Sequence, residues 1–370
     1  MDVLNAANKL ERAGHPVFHL EAGQPSTKAP GTALDAASDA LRGQTLGYTE
    51  ALGIPALRDR ISRHYKDWYK IDVPSERVVV TTGSSAGFVF AFLLLFDPGQ
   101  TLAIANPGYP AYRNISKALG IRTALIECKQ AAQFRLTAEM ISQAGDIDGV
   151  LLASPSNPCG TVISPEELQR IADYAEHKKI HLISDEIYHG ISYGPHTQTV
   201  LAFSRNAIVI NSFSKYFSMT GWRIGWMVVP EAMVDAVERV AQNFYISPPA
   251  ISQIAATAAF DARLELEGHV RTYAANREVL LEALKNAGLN SIAPADGAFY
   301  LYADISDFAM SADDFTRKLL AATGVAATPG DDFDPLEGSR WVRFSYAGGR
   351  HEIQSAANLI SSWCAKLKGS

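Results

Sequence analysis

Lys215 closes the run Asn211-Ser212-Phe213-Ser214-Lys215, and Arg223 follows it in Thr220-Gly221-Trp222-Arg223-Ile224-Gly225. An amine held among hydroxyl dipoles and a second cation has its pKa lowered, and a neutral amine condenses with carbonyl compounds. A lysine after a strand is ordinarily a solvated surface charge. The flanking Ser212 and Ser214 and the downstream Arg223 make this one a candidate Schiff-base residue. Asp185 ends the apolar run His181-Leu182-Ile183, and Tyr188 stands three positions beyond it. A carboxylate there can keep a pyridine nitrogen protonated, so that the ring draws electrons from an adjacent carbanion. The Tyr188 phenol and the Asn157 amide, in Ser154-Pro155-Ser156-Asn157-Pro158-Cys159-Gly160, can both reach the oxygen of such a ring. Taken singly, the three would be a helix cap, a core tyrosine and a turn former. In Thr82-Gly83-Ser84-Ser85-Ala86 an apolar helix follows a small-residue turn, and the N–H groups of Ser84, Ser85 and Ala86 suit a phosphate dianion. Arg223 with Ser212 and Ser214 would complete that cup. Pyridoxal 5′-phosphate (PLP) has all of these parts: an aldehyde for the amine, a pyridine nitrogen, a ring oxygen and a phosphate.

These residues must be brought together by the elements that carry them. Short apolar runs at 78–82, 101–105, 123–126, 150–153, 181–185, 207–211 and 224–229 alternate with helical patterns. That rhythm predicts an α/β fold whose large domain has a mostly parallel seven-stranded sheet between helices. Ligands of such sheets gather outside the carboxyl ends of the strands, where the residues above lie. One helix is announced by Ser164 as cap, Pro165 in the first turn and Glu167 closing a capping box. The apolar stretch 88–96 is too short for a membrane span and reads as a buried helix. After Pro230 the pattern turns to long helices, broken at Ser247-Pro248-Pro249, with short strands at 298–303 and 341–345. A smaller α+β domain follows, and the Gly/Pro-marked segment 18–30 is placed with it. The expected division is 31–265 for the large PLP-binding domain, and 1–30 with 266–370 for the small one.

Composition sets the wider bounds. With 370 residues, 47% of them apolar and 19% charged, the chain can bury extensive cores. A net charge of −6 gives no broad basic footprint, so a small-molecule substrate is expected rather than nucleic acid or membrane. Three scattered cysteines, Cys128, Cys159 and Cys364, make neither a disulfide framework nor a metal cage, and they place the chain in the reducing cytoplasm. The first twelve residues are mixed and polar, so no targeting signal is expected there.

In this order, Ser-x-Ser-Lys followed by Gly-Trp-Arg, with Leu20-Glu21-Ala22-Gly23-Gln24-Pro25, Tyr48-Thr49-Glu50-Ala51-Leu52-Gly53 and Val342-Arg343-Phe344-Ser345, the chain resembles class I aminotransferases of the aspartate and aromatic type. These are PLP enzymes of fold type I. The resemblance implies an amino group passed between an L-amino acid and a 2-oxo acid through a Schiff base on Lys215. It also implies that Tyr109 stacks on the pyridine, that Arg343 clamps the substrate α-carboxylate, and that Gly23 lets the backbone approach that carboxylate. Tyr48 would reach the phosphate of a neighbouring subunit, which implies a homodimer with shared sites. Two departures from the pattern are Cys159, where relatives commonly carry Thr, and a segment before Gly23 shorter than the arm of many relatives. A C–S β-lyase on the same scaffold and a catalytically silent PLP-binding regulatory domain are the alternatives. A nicotinamide dehydrogenase is set aside, because the first strand turn lacks G-x-G-x-x-G. Phe18, Tyr245 and Phe299 leave both dicarboxylic and aromatic substrates open.

Overall fold

A computed structural model describes residues 2–194 and 196–368. Twelve strands occur among them: β1 (Phe18–His19), β2 (Val78–Thr81), β3 (Thr101–Asn106), β4 (Arg122–Glu127), β5 (Gly149–Ala153), β6 (His181–Asp185), β7 (Ile208–Ser212), β8 (Gly225–Val228), β9 (Tyr300–Asp304), β10 (Val325–Ala326), β11 (Thr328–Pro329) and β12 (Trp341–Ser345). Seven form one sheet in the order β2-β8-β7-β6-β5-β3-β4. All its pairings are parallel except the two made by β8. The central strands are apolar almost throughout because both faces are covered, and in β7 every residue is buried. The helix Ser84–Leu95 is apolar on all sides and packs against β7, β8 and β2.

This topology delivers the chemistry to one edge. Strands β2, β3, β5, β6 and β7 end there at Thr81, Asn106, Ala153, Asp185 and Ser212. The reversed β8 begins there, its Gly225 paired with both Thr81 and Ser212. Arg223, two residues upstream, therefore arrives at the same edge as Lys215, three residues past Ser212.

Helix Pro165–Lys178 starts as expected, with the Ser164 hydroxyl accepting the Glu167 N–H at 3.2 Å. The reciprocal half of the capping box does not form. The Glu167 carboxylate instead accepts the Ala138 N–H at 2.8 Å and pairs with Arg170. The free N-terminus of the neighbouring helix Ala138–Ser142 competes for that acceptor, and no local pattern announces it.

The second unit is built on β11-β12-β9, an antiparallel sheet, with helices Arg263–Asn286 and Arg350–Lys368 packed together beside it. Segment 18–30 is laced to it. Strand β1 pairs with β10, the Ser345 N–H donates to Leu20 O at 2.7 Å, and the Ser26 N–H donates to Ala347 O at 3.1 Å. Gly23 thus hangs between β12 and the edge of the large sheet. Phe299 is fully buried, and Phe18 is partly buried against the core. No helix among the described residues is long and apolar enough to cross a membrane.

Candidate active site

The Lys215 amine donates to Gly23 O at 2.5 Å and lies 5.7 Å from the centre of the Tyr188 ring. Burial first, and then the Arg343 and Arg223 cations, push it down to about 8, with Asp185 pulling the other way. Arg343, on β12, is a buried cation without a carboxylate partner among the described residues. Its guanidinium donates to Asn157 Oδ1 at 3.0 Å and to Glu21 O at 2.7 Å, and its Nε has no acceptor. It lies between two rings, 4.4 Å from the centre of Tyr300 and 4.6 Å from that of Phe333. A Cβ built on Gly23 would stand 2.7 Å from Tyr300 Oη and 3.9 Å from an Arg343 Nη, so only glycine leaves this space open.

Asp185 is 3% exposed and has no ion-pair partner among the described residues. It accepts from the Tyr112 hydroxyl and from the Ile187 N–H. Burial pushes it up to about 6, against the pull of those two donors and of the Lys215 charge. Tyr109 is half-exposed, its ring centre 5.5 Å from that of Tyr112. Tyr188 is buried and shares a 2.7 Å hydrogen bond with Tyr300. Either hydroxyl can be the donor in that pair, so the Tyr188 phenol keeps hydrogen-bonding capacity beside it.

The third group lies at the start of helix Ser84–Leu95. A Cβ on Gly83 would fall 2.5 Å from Arg223 Nη2, and one on Gly225 would fall 2.9 Å from the Ser84 N, so guanidinium and helix end are closely apposed. Ser212 Oγ donates to Ser214 Oγ at 2.9 Å and accepts the Ser214 N–H at 3.1 Å, which fixes the turn before Lys215. Ser85 and Arg223 are exposed, while Ser84 and Ala86 are half-buried. A dianion fits this end: a helix N-terminus, a guanidinium and two hydroxyls converge on it without an acid among them. A buried anion with no cation partner suits a protonated pyridine nitrogen equally well.

Of the residues expected from the sequence, only Tyr48 stands apart. It is 82% exposed on the surface and touches nothing in its own site. Cys159 is buried among Phe134, Tyr302 and Trp341, where burial pushes its thiol up. Sequence reasoning missed Tyr112, Tyr300 and Phe333. The spacing Tyr109-x-x-Tyr112 across a helix start at Pro110 would have put both rings on one face. Tyr300 and Phe333 reach Arg343 only through tertiary pairing, which leaves no local trace.

Such an edge, with a recessed amine, a buried acid and an anion cup beneath one sheet, defines a PLP-dependent transferase of fold type I. The aminotransferase class I and II family model matches residues 15–360, and the chain belongs to that family. It is similar to the valine–pyruvate aminotransferase of Mycobacterium tuberculosis, 48% identical over 368 residues, covering 98% of this chain and 95% of that one. The (5-formylfuran-3-yl)methyl phosphate transaminase of Methanocaldococcus jannaschii is 34% identical, covering 99% of this chain and 96% of its own. Among solved structures, a crystal structure of an aminotransferase from Mycobacterium tuberculosis superposes with a TM-score of 0.96 at 48% identity, covering 99% of this chain and 96% of that one. The protein is thus a PLP-dependent aminotransferase acting on amino and 2-oxo acids. The transaminases it resembles do not favour the β-lyase or the silent-domain alternative.

Proposed function

We propose that this enzyme takes the amino group of an L-amino acid with an aliphatic side chain and passes it to a small 2-oxo acid such as pyruvate, with Lys215 as the residue that carries PLP. One observation carries the reading. A single glycine separates an amine from an unpaired guanidinium: Lys215 rests on Gly23 O at 2.5 Å, and a Cβ on Gly23 would stand 3.9 Å from Arg343. An α-amino acid holds its amine and carboxylate on one carbon, so it can meet both groups at once. The aliphatic donor and the pyruvate acceptor are supported by the 48% identity to the valine–pyruvate enzyme.

When bound, PLP supplies an aldehyde that condenses with amines and a cationic heterocycle that takes up the electrons left when a Cα proton departs. The protein does the rest. Ser84, Ser85, Ala86, Ser212, Ser214 and Arg223 would hold the phosphate, Asn157 and Tyr188 would serve the ring oxygen, and Tyr109 would pack on the ring. Asp185 would keep a proton on the ring nitrogen. Arg343 fixes the substrate carboxylate through paired N–H donors, and Gly23 leaves room for it. Lys215, pushed down to about 8, is neutral often enough at neutral pH to take a proton from Cα and return it elsewhere. The buried Tyr188–Tyr300 pair keeps water from that amine.

The same reading makes the enzyme a cytoplasmic homodimer, with Tyr48 lent to the neighbour's phosphate site. The 82% exposure of Tyr48 supports the dimer, and three buried cysteines outside any disulfide suit a reducing compartment. It also divides the chain into 31–265 and 1–30 with 266–370, the second boundary falling in the first turn of helix Arg263–Asn286. A panel of amino donors against pyruvate and 2-oxoglutarate tests the substrate assignment. Valine with pyruvate should exceed aspartate with pyruvate in kcat/KM by at least about 100-fold, the discrimination a desolvated apolar pocket exerts against a second carboxylate. Aspartate as the preferred donor would refute it.

A further inference from the structure

The turn that carries Asp185 and Tyr188 is anchored by a second carboxylate, which amino transfer leaves unused. Glu186 follows directly on β6 and is 1% exposed. Alternate residues of a strand share a face, so Glu186 lies with Ser184, on the side away from Asp185. Its Oε1 accepts three hydrogen bonds, from the Ser184 hydroxyl at 3.1 Å, the Thr199 hydroxyl at 3.0 Å and the Val200 N–H at 3.0 Å. Its own N–H donates to Ile210 O at 2.9 Å. One oxygen therefore binds the end of β6 to the 199–200 turn. The other oxygen, Oε2, has no hydrogen-bond partner. It faces His189 Nδ1 at 3.6 Å, and that nitrogen already shares a 2.6 Å bond with Tyr69 Oη.

No cation among the described residues offsets this carboxylate. The titratable groups around it are Asp185 on its own strand, His189 in the turn, and Tyr65 and Tyr69 from helix Pro55–Tyr69. Burial pushes His189 down to about 3 and both tyrosines up, so at neutral pH all three are uncharged, and Asp185 can only repel. His196 lies beyond His189 and acts on that ring. An ionised carboxylate here would leave half its charge desolvated and unpaired on Oε2. A carboxylic acid needs donors on its carbonyl oxygen alone, which is how the three are arranged, and its O–H on Oε2 is left facing the His189 Nδ1.

We infer that Glu186 is a positioning residue that works as a neutral acid: its carbonyl, gripped by Ser184, Thr199 and Val200, sets the 185–188 turn so that Asp185 alone turns a negative charge toward the cofactor. This rests on Asp185 being the partner of the ring nitrogen. In keeping with it, burial pushes Glu186 up to about 8.

Glu186→Gln tests the inference, because an amide keeps the accepting oxygen and can never ionise. Between the ordinary 4.5 and about 8, the folded chain holds a proton that the unfolded chain has released, so Glu186 lowers stability as pH rises through that window. Asp185 adds to the fall only up to about 6 and Lys215 acts only above about 8, while His19, raised from 6.5, is common to both proteins and cancels in their difference. In melts of the PLP-free protein, the Tm of E186Q minus that of wild type should grow by about 3–5 °C from pH 6 to pH 8. In the holoenzyme at pH 7, E186Q should restore kcat to within about threefold of wild type, whereas Glu186→Ala loses at least about tenfold. A Tm difference that stays constant over that range overturns the neutral acid, and an E186Q as impaired as E186A overturns the positioning role. Failure of the underlying assignment reads differently, since Asp185→Asn would then keep full activity whatever E186Q does.

Discussion

Lys215→Ala should lose transamination by at least about 10⁴-fold, because one side chain is both the carrier of the cofactor and the base that moves the Cα proton. The same change should make the PLP-free protein more stable. The Lys215 amine is pushed from 10.5 down to about 8, so the folded chain disfavours its charged form. Below pH 8 both folded and unfolded chains carry the proton, and the fold bears the whole penalty. Between about 8 and 10.5 only the unfolded chain holds it, so the penalty fades as pH rises. The gain in K215A should therefore be full at pH 7, at up to about 3 kcal/mol, and vanish toward pH 10.5. Thermal melts of the apoprotein across that range read it, and a K215A that is both less stable and still active would refute the role.

Asp185→Asn should lower kcat/KM by about 10²–10⁴-fold. Removing one member of a buried charge pair costs about 3–5 kcal/mol, and each 1.36 kcal/mol is a decade in rate. The loss should fall on kcat rather than on KM, since the carboxylate faces the heterocycle and not the substrate. Here too the bare fold should gain. Burial pushes Asp185 from 3.8 up to about 6, so the folded chain retains a proton through that window and stability falls as pH rises across it. Asparagine removes the fall, and its advantage should be absent below pH 4 and complete above pH 6. In D185N the Ile187 N–H keeps its acceptor oxygen and the Tyr112 hydroxyl can turn to accept from the amide NH2, so activity lost reports the charge. Both substitutions thus trade stability for activity in the direction expected of a site built from unpaired charges.

Much of this was legible because the pieces are local. The run 181–185 needed only its apolar start to be read as a strand, and β6 spans those same residues. The motif residues sit at strand ends, which the alternation of strand and helix had already placed on one edge. Arg223 was legible for the same reason, although its position depends on β8 running backwards, which periodicity does not reveal. What escaped was long-range. The clamp around Arg343 is assembled from β9, β12 and the 330–334 turn, and nothing near residue 343 names Tyr300 or Phe333. Glu167 escaped in the opposite way, since its local pattern promised one partner and the fold supplied a stronger one.

Every role in the site follows from which lysine holds the cofactor. Borohydride reduction of the holoenzyme followed by proteolysis and peptide mass mapping measures this directly. The reduced pyridoxyl group should be found on the peptide containing Lys215 and on no other. Its recovery on a different lysine, or its absence from the protein after reduction, would contradict the assignment on which every other role in the site is built.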